Sequence, residues 1–491
     1  MKPTIFVLSV SFIISILIYG CSSKKNNLEV KEEFLLNVPN GINWNYVRVS
    51  PDGKRIAFAA EQDGKWTIVS DTIRSKEYDG FLQEVNNFWT YWYDGDLVFS
   101  PDSKRFGYAA YKSGKWFAIV DNKEMGPYDE FEYGSLIFSP DNKHFAYIVK
   151  EDSSWLVIKD GKSESIRYTS VKNLVFSPDS KRFAYLVEQD GDWKAVIDGN
   201  HWRSFDDINN MHFSPDSRCL AYWASLDDKF TVIVDTFLIS KEYDAFSTTQ
   251  FLQSADGSRI TSNSGGDLIF SPDSKHIGYT GRRLGKWFVV IDEKESNPWD
   301  EVGEITFSEN GNQVVYGAWL DGKGFIVTDS ECGPSFDYIG KNSIKISSDG
   351  KKILYAVGHL RDSVEKYSII INDTESNDYD NIIPSSTLFS PDSKRNAFIA
   401  KRGAKSLLVV DGNEVLENSE IYGPWFTPDS KQIISIIKKM DLFHFVINGY
   451  ETRGYHRILD IERVTFNTSN SFNFFAVRNN QFLKVEVKIR D

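Results

Sequence analysis

The sequence predicts an all-β chain folded as a β-propeller of about eleven four-stranded, WD40-like blades. Three observations carry this. A phrase made of an apolar pair, Phe-Ser-Pro-Asp-Ser-Lys and a short apolar stretch ending in Tyr or Phe returns along the chain. Its serine falls at 50, 100, 139, 177, 214, 271, 308, 347 and 390, with Thr427 and Asn467 in the same place. The spacing is 37 to 43 residues in eight of the ten steps, a period that belongs to repeat architectures. Phe, Trp and Tyr make up 14% of the 491 residues, a composition suited to pleated, half-buried strands. Units of four short strands arranged radially make a propeller.

The first residues read as a targeting segment. After Lys2 an apolar stretch runs from Ile5 to Ile18, followed by Tyr19-Gly20-Cys21-Ser22. About 16 apolar or small residues fall short of the roughly 20 that a membrane-spanning helix needs. The pattern resembles a bacterial lipoprotein signal: Ile18 three before the cysteine, Gly20 just before it, and Cys21 as the lipid-attachment residue. Tyr19 departs from the small or aliphatic residue usual at its place, and an uncleaved anchor or a plain signal peptide are the alternatives. The expected organisation is a signal peptide over 1–20, a tether over 21–30, repeats 1–5 over 31–250 and repeats 6–11 over 251–491. Cys219 and Cys332 lie at different repeat positions, so no disulfide framework is expected.

Each repeat parses into four strands. In the second, strand A is expected at 97–100, B at 105–110, C at 115–120 and D at 127–131, because apolar runs are punctuated there by Pro, Asp, Ser and Gly. Pro presets the backbone for a tight turn and Asp folds back on nearby amides, so Asp52, Asp102, Asp141, Asp179, Asp216, Asp273, Asp392 and Asp429 are read as closing the A-to-B hairpins. Eight places after the serine comes an aromatic in all but one repeat, Ser435 being the exception; sixteen places after it come Trp66, Trp116, Trp155, Trp193 and Trp287. These rings are expected to fill the space between stacked sheets. Twenty-one places on, Asp or Asn closes strand C in most repeats, suited to the C-to-D turn.

The phrases Phe-Ser-Pro-Asp-Ser-Lys-Arg and Gly-Lys-Trp resemble the WD40-like repeats of TolB-type propellers of the bacterial envelope, and those of propellers that accompany prolyl-oligopeptidase-like peptidases. The resemblance covers roughly residues 46–491. The α/β domain ahead of TolB-type repeats and the hydrolase domain of the peptidases have no counterpart in the sequence. The resemblance implies a fold more than a chemistry.

The last repeat offers strands A at 463–467, B at 472–478 and C at 481–489, but no D; the segment 33–38 is expected to supply it and close the fold. Eleven units exceed the four to eight blades usual in one ring. A degenerate A-to-B hairpin at 251–260, and an echo of Ser75-Lys76-Glu77-Tyr78-Asp79 in Ser240-Lys241-Glu242-Tyr243-Asp244, favour two rings meeting near residue 250 over one very large ring.

Consecutive turns alternate between the two ends of a sheet, so A-to-B and C-to-D turns share one face and B-to-C and D-to-A connections share the other. The three length expansions, 81–96, 245–267 and 357–367, all fall in the second set, which makes that face the better place for function. It holds the candidate binding residues Phe88, Trp89, Tyr91, Trp92 and Tyr93, an unrepeated aromatic cluster, together with His359 and Arg361. Packing within the propeller is the competing reading of the aromatics, and a solvated turn that of His359 and Arg361.

No Gly-x-Ser-x-Gly, Gly-x-x-x-x-Gly-Lys-Ser/Thr, His-Glu-x-x-His or Cys-x-x-Cys motif occurs, and the seven histidines share no spacing. No catalytic residue, metal or cofactor is expected. With 69 Asp+Glu against 56 Lys+Arg the net charge is -13, which repels a phosphate backbone, so nucleic acid is not an expected partner. The reading is a lipid-anchored envelope lipoprotein, periplasmic or surface-facing, that binds or scaffolds a protein or glycan. A propeller hydrolase or lyase acting on sugars or lactones, or a purely structural surface protein, are the alternatives.

Overall fold

The computed structural model describes residues 28–490 apart from 82–96, 165, 236, 239, 246–251, 254–258, 261–267, 362–363 and 462. Eleven sheets of four or five strands follow one another as blades in a propeller arrangement. Blades 1 to 5 span 48–74, 98–128, 130–163, 170–205 and 207–238. Blades 6 to 10 span 269–295, 301–336, 338–375, 381–418 and 421–451. Blade 11 spans 457–489. The expected hairpin near 251–260 is present as a two-stranded ladder pairing Leu252 with Ile260 and Gln253 with Arg259. Among the described residues the one helical element is the single 3₁₀ turn Trp44–Tyr46.

Blade 2 shows why the repeat folds this way. Strand B, Phe106–Lys112, and strand C, Lys115–Val120, are covered on both faces by neighbouring blades, so they read as continuous apolar runs rather than strict alternations. Strand D begins earlier than the sequence predicts, at Lys123–Tyr128. Asp121 and Asn122 both adopt positive φ, 51° and 64°, which makes the C-to-D turn as tight as a two-residue hairpin allows. Glu130–Phe131, assigned to that strand from sequence, instead pairs with Lys150 and Val149 of blade 3. The expected long loop at 357–367 is likewise a longer hairpin: Ile353–Arg361 and Val364–Ile371 stay paired to the turn, with His359 opposite Lys366 and Arg361 opposite Val364.

The core is distributed. Eleven hydrophobic clusters among the described residues each join two consecutive blades. Blade 5 packs on blade 6 through Trp223, Tyr243, Leu268 and Tyr279, and blade 11 packs on blade 1 through Phe475, Phe482, Ile56 and Phe58. The repeated aromatics eight places after the serine lie inside these clusters, from Phe58 to Phe475. The repeated tryptophans lie nearer the blade ends: Trp116 is buried, while Trp66, Trp155, Trp193 and Trp287 are half-buried.

Blade 11 takes its fourth strand from the other end of the chain. Leu28–Asn37 pairs antiparallel with Gln481–Ile489, from Leu28 opposite Ile489 to Asn37 opposite Gln481. The segment expected at 33–38 thus supplies the strand and starts earlier. Glu32 fixes it laterally: its carboxylate accepts from Tyr455 Oη at 2.8 Å and from both terminal nitrogens of Arg478, one at 2.7 Å.

Candidate functional site

The Ser-Pro-Asp-Ser turns form a belt along one face. Within a turn, Ser100 Oγ donates to Asp102 Oδ1 at 2.7 Å, and the same oxygen accepts from Lys104 N at 3.1 Å. Between turns, the Asp amide donates to the hydroxyl of the next blade: Asp52 N to Ser103 Oγ at 3.0 Å, Asp141 N to Ser180 Oγ at 2.9 Å, Asp392 N to Ser430 Oγ at 3.0 Å. The Ser177 hydroxyl and the Lys181 amide hold the Asp179 carboxyl down at about 2. The Asp residues at the C-to-D turns close on the same face, Asp71 Oδ1 accepting from Ile56 N at 3.1 Å. The turn aspartates thus hydrogen-bond both within their own turn and to the turn of the next blade.

The opposite face has a belt of its own that the repeat phrase did not reveal. An Asp following the aromatic at the end of strand D takes a lysine from its own blade and caps the B-to-C turn of the next. Asp79 accepts from Lys65 Nζ at 2.5 Å and Ser113 N at 2.7 Å; Asp244 accepts from Lys229 Nζ at 2.5 Å and Leu284 N at 2.9 Å. Asp300, Asp337 and Asp380 repeat the arrangement with Asp321 N, Leu360 N and Gly403 N. In Asp79 the Lys65 ammonium, followed by the Ser113 amide, holds the carboxyl below its ordinary value. The signal was present as aromatic-Asp pairs: Asp79, Asp300 and Asp337 each lie 29 residues after the phrase serine of their own blade.

Turns on this face carry exposed apolar tips. Leu226, Leu284, Leu360, Val364 and Met440 all sit at or beside B-to-C turns, whereas Ile73, Trp202 and Val415 are the exposed large apolar side chains beside the opposite C-to-D turns among the described residues. Leu284 and Met440 hold φ of 51° and 54° while 90% and 96% exposed, in the position that Asp63, Asp190 and Asp321 fill in other blades. Bulky side chains are disfavoured in that left-handed region.

Cys21, Phe88, Trp89, Tyr91, Trp92 and Tyr93 lie outside the described residues. His359 belongs to strand B of blade 8, where its Nε2 stands 3.1 Å from Glu375 and its ring packs edge-on to Phe336. Basic residues at the corresponding place in other blades make the same contact, Arg283 with Glu295 and Arg402 with Glu414. Arg361 ends that strand, at the turn.

One cleft on this face arises from a segment that matches no repeat. Between the closing strand and blade 1, residues 38–47 run along the strand-A edge: Ile42 bridges Ala60, Glu61 N donates to Gly41 O at 3.0 Å, and the chain then turns through Trp44–Tyr46. Gly41 has φ +74°, and a Cβ there would stand 1.9 Å from Glu61 O, so only glycine permits this approach. Asn43 Oδ1 accepts from Asn45 N at 3.1 Å and caps the turn. Trp44 is held by Phe482, ring centroids 5.7 Å apart, and by the Arg457 guanidinium 4.4 Å from its ring centre. The resulting cleft of about 420 Å³ is lined by Gly41, Ile42, Asn43, Trp44, Asn45, Glu61 and Trp66. Its sequence signal was an Asn-rich, Trp-containing stretch that the repeat ruler leaves unassigned. Among the described residues no group of three or more His, Cys, Asp or Glu is placed to hold a metal ion.

No protein-family model matches the chain, and no curated protein does. Solved structures do match in fold. TolB from Acinetobacter baumannii is 10% identical with a TM-score of 0.25, over 64% of this chain and 78% of that one. The Dos1 propeller is 10% identical with a TM-score of 0.29, over 72% and 91%. The β-propeller domain of the Trilobed protease from Pyrococcus furiosus is 14% identical with a TM-score of 0.27, over 59% and 96%. None of these proteins' activities is carried over to this chain.

Proposed function

We propose that the chain is a lipid-anchored β-propeller of the bacterial envelope that binds or scaffolds a protein or glycan partner on its B-to-C face. The observation that carries this reading is the gathering of exposed apolar tips on the face whose turns are capped from the next blade. Rigid turns with apolar tips suit recognition, because little freedom is lost on binding.

The register of the closing strand gives the reading a direction. Leu28 lies opposite Ile489, at the end of blade 11 where Ile489 N donates to Asn470 O of the A-to-B turn. Asn37 lies opposite Gln481, at the B-to-C end. Six residues separate Cys21 from Leu28, a reach of roughly 20 Å when extended. An acylated Cys21 therefore keeps the Ser-Pro-Asp-Ser face toward the membrane and turns the B-to-C face outward.

A photo-cross-linking residue at positions 284 and 440 on one face, and 181 and 431 on the other, tests this in cells. Lipid adducts from 181 and 431, with protein or glycan adducts from 284 and 440, are expected. The same adducts from both faces, or palmitate labelling that survives Cys21→Ala, would overturn it.

A further inference from the structure

The cleft at the seam between the last and first blades has the composition of a sugar site. We propose that it takes a neutral oligosaccharide, an assignment that rests on the binding reading above and names the ligand class of one part of that face.

Three features argue for it. The volume, about 420 Å³, lies in the range of roughly 300–1,000 Å³ that small-ligand sites occupy. Its walls pair two indoles, Trp44 and Trp66, with two amides, Asn43 and Asn45, and the Glu61 carboxylate. A pyranose has an apolar C–H face and a polar rim: indoles offer large rigid apolar surface, while an amide carries both donors and an acceptor and a carboxylate accepts from hydroxyls. Trp44 is also set in place before any ligand arrives, its ring tilted 50° to Phe482 and touched by the Arg457 guanidinium, and Gly41 lets the turn approach Glu61 closely. A preorganised wall lowers the ordering cost of binding.

Charge selects the class. The ionised side chain lining the cleft is the acidic Glu61, while the guanidinium of Arg48 donates to the Asn45 carbonyl at 2.7 Å and that of Arg457 lies on the Trp44 ring. The carboxylate disfavours an anionic group placed against it, and a neutral sugar meets no such penalty. Nothing in the assignment requires bond cleavage.

Intrinsic tryptophan fluorescence and isothermal titration of the soluble chain, truncated after Cys21, against malto-, cello- and chito-oligosaccharides, with polygalacturonate and an acidic peptide as controls, test the proposal. Saturable binding of at least one neutral series, with polygalacturonate and the peptide weaker by tenfold or more, is expected. Trp44→Ala should weaken that binding at least tenfold. Asn45→Ala and Glu61→Gln, whose side chains are exposed, should each weaken it threefold or more without moving the thermal midpoint, so a folding defect in Trp44→Ala cannot decide the result. Absence of binding by all three neutral series, binding unaffected by Asn45→Ala and Glu61→Gln, or preference for polygalacturonate would overturn it. Cross-linking from positions 284 and 440 reports on the wider face separately, so loss of the sugar site alone leaves that reading standing.

Discussion

At the scale of single residues, Glu32 shows how one carboxylate can tie the chain's two ends together. Its side chain is 15% exposed. Burial alone would raise its pKa, but the Arg478 guanidinium and the Tyr455 hydroxyl outweigh burial and hold it below the ordinary glutamate value. A depressed folded-state pKa contributes stability that is complete above the unfolded value, near pH 4.5, and is lost as pH falls through the folded one. Glu32→Gln should therefore cost about 1–3 kcal/mol at neutral pH, and its stability should fall less steeply than the parent's between pH 5 and 3, read by urea unfolding at each pH. Equal slopes would remove Glu32 from this role. Leu284 and Met440 make the opposite case, since each sits at left-handed φ where Asp serves elsewhere. Leu284→Asn and Met440→Asn should each raise stability by about 1 kcal/mol, seen as a higher urea midpoint at unchanged slope. The Ser-Pro-Asp-Ser residues were legible because their partners lie two to five residues away. Glu32 was not, because Arg478 lies 446 residues further along the chain.

At the scale of elements, the residue after Ser-Pro-Asp-Ser-Lys decides how tightly one blade grips the next. Arg105 donates from Nε to Asp121 at 2.8 Å within its blade, from Nη1 to the carbonyls of Asn142 and Lys143 at 2.9 and 3.1 Å across the interface, and lies 5.0 Å from the Phe138 ring centre. His144, in the same place one blade on, keeps the contact to Asp160 at 2.7 Å and stacks on Phe176, but is too short to span to the next turn's carbonyls. Arg105→Ala should thus cost about 1–3 kcal/mol, while His144→Arg should gain about 0.5–1.5 kcal/mol from the added carbonyl bonds. Thermal and urea unfolding of the pair check both signs, and a neutral His144→Arg would count against the clamp. Strand C was legible to the residue, and strand B but for its ends, expected at 105–110 and found at Phe106–Lys112, because the middle of each is buried on both faces and apolar. Strand D was placed late, since it is solvent-exposed at most positions in blades 2 and 4 and carries no apolar pattern to fix its start. The capping of B-to-C turns by Asp79 and its counterparts escaped notice for a related reason: the partner belongs to the next blade, 34 residues on from Asp79, 40 from Asp244 and 21 from Asp300.

At the scale of the whole molecule, the clusters define how the repeats associate. Each of the eleven joins neighbours only, in the manner of repeat proteins whose stability is a sum of units and interfaces. The sequence revealed the number of units directly, and the rule of four to eight blades favoured two rings over one very large ring. Two rings would call for contacts from blade 5 back to blade 1 and from blade 11 to blade 6; the clusters run instead from 5 to 6 and from 11 to 1. On these contacts we predict one closed circuit of eleven blades, sealed by Leu28–Asn37 and Val38. Removing residues 28–38 would strip the ladder from Gln481–Ile489, leaving an unpaired edge in blade 11, and would take Val38 out of the cluster shared with blade 1. The shortened chain should melt several degrees lower and sediment as dimers and larger species through the freed edge, whereas the parent should sediment as one monomeric species. Adding back a peptide of sequence 28–38 should restore the monomer by refilling the edge. If the circuit were two independent rings, the deletion would loosen only the ring containing blade 11, and hydrogen exchange in blades 1–5 would stay as in the parent. Faster exchange in blade 1 as well as blade 11, rescued by the peptide, is the outcome a single circuit requires.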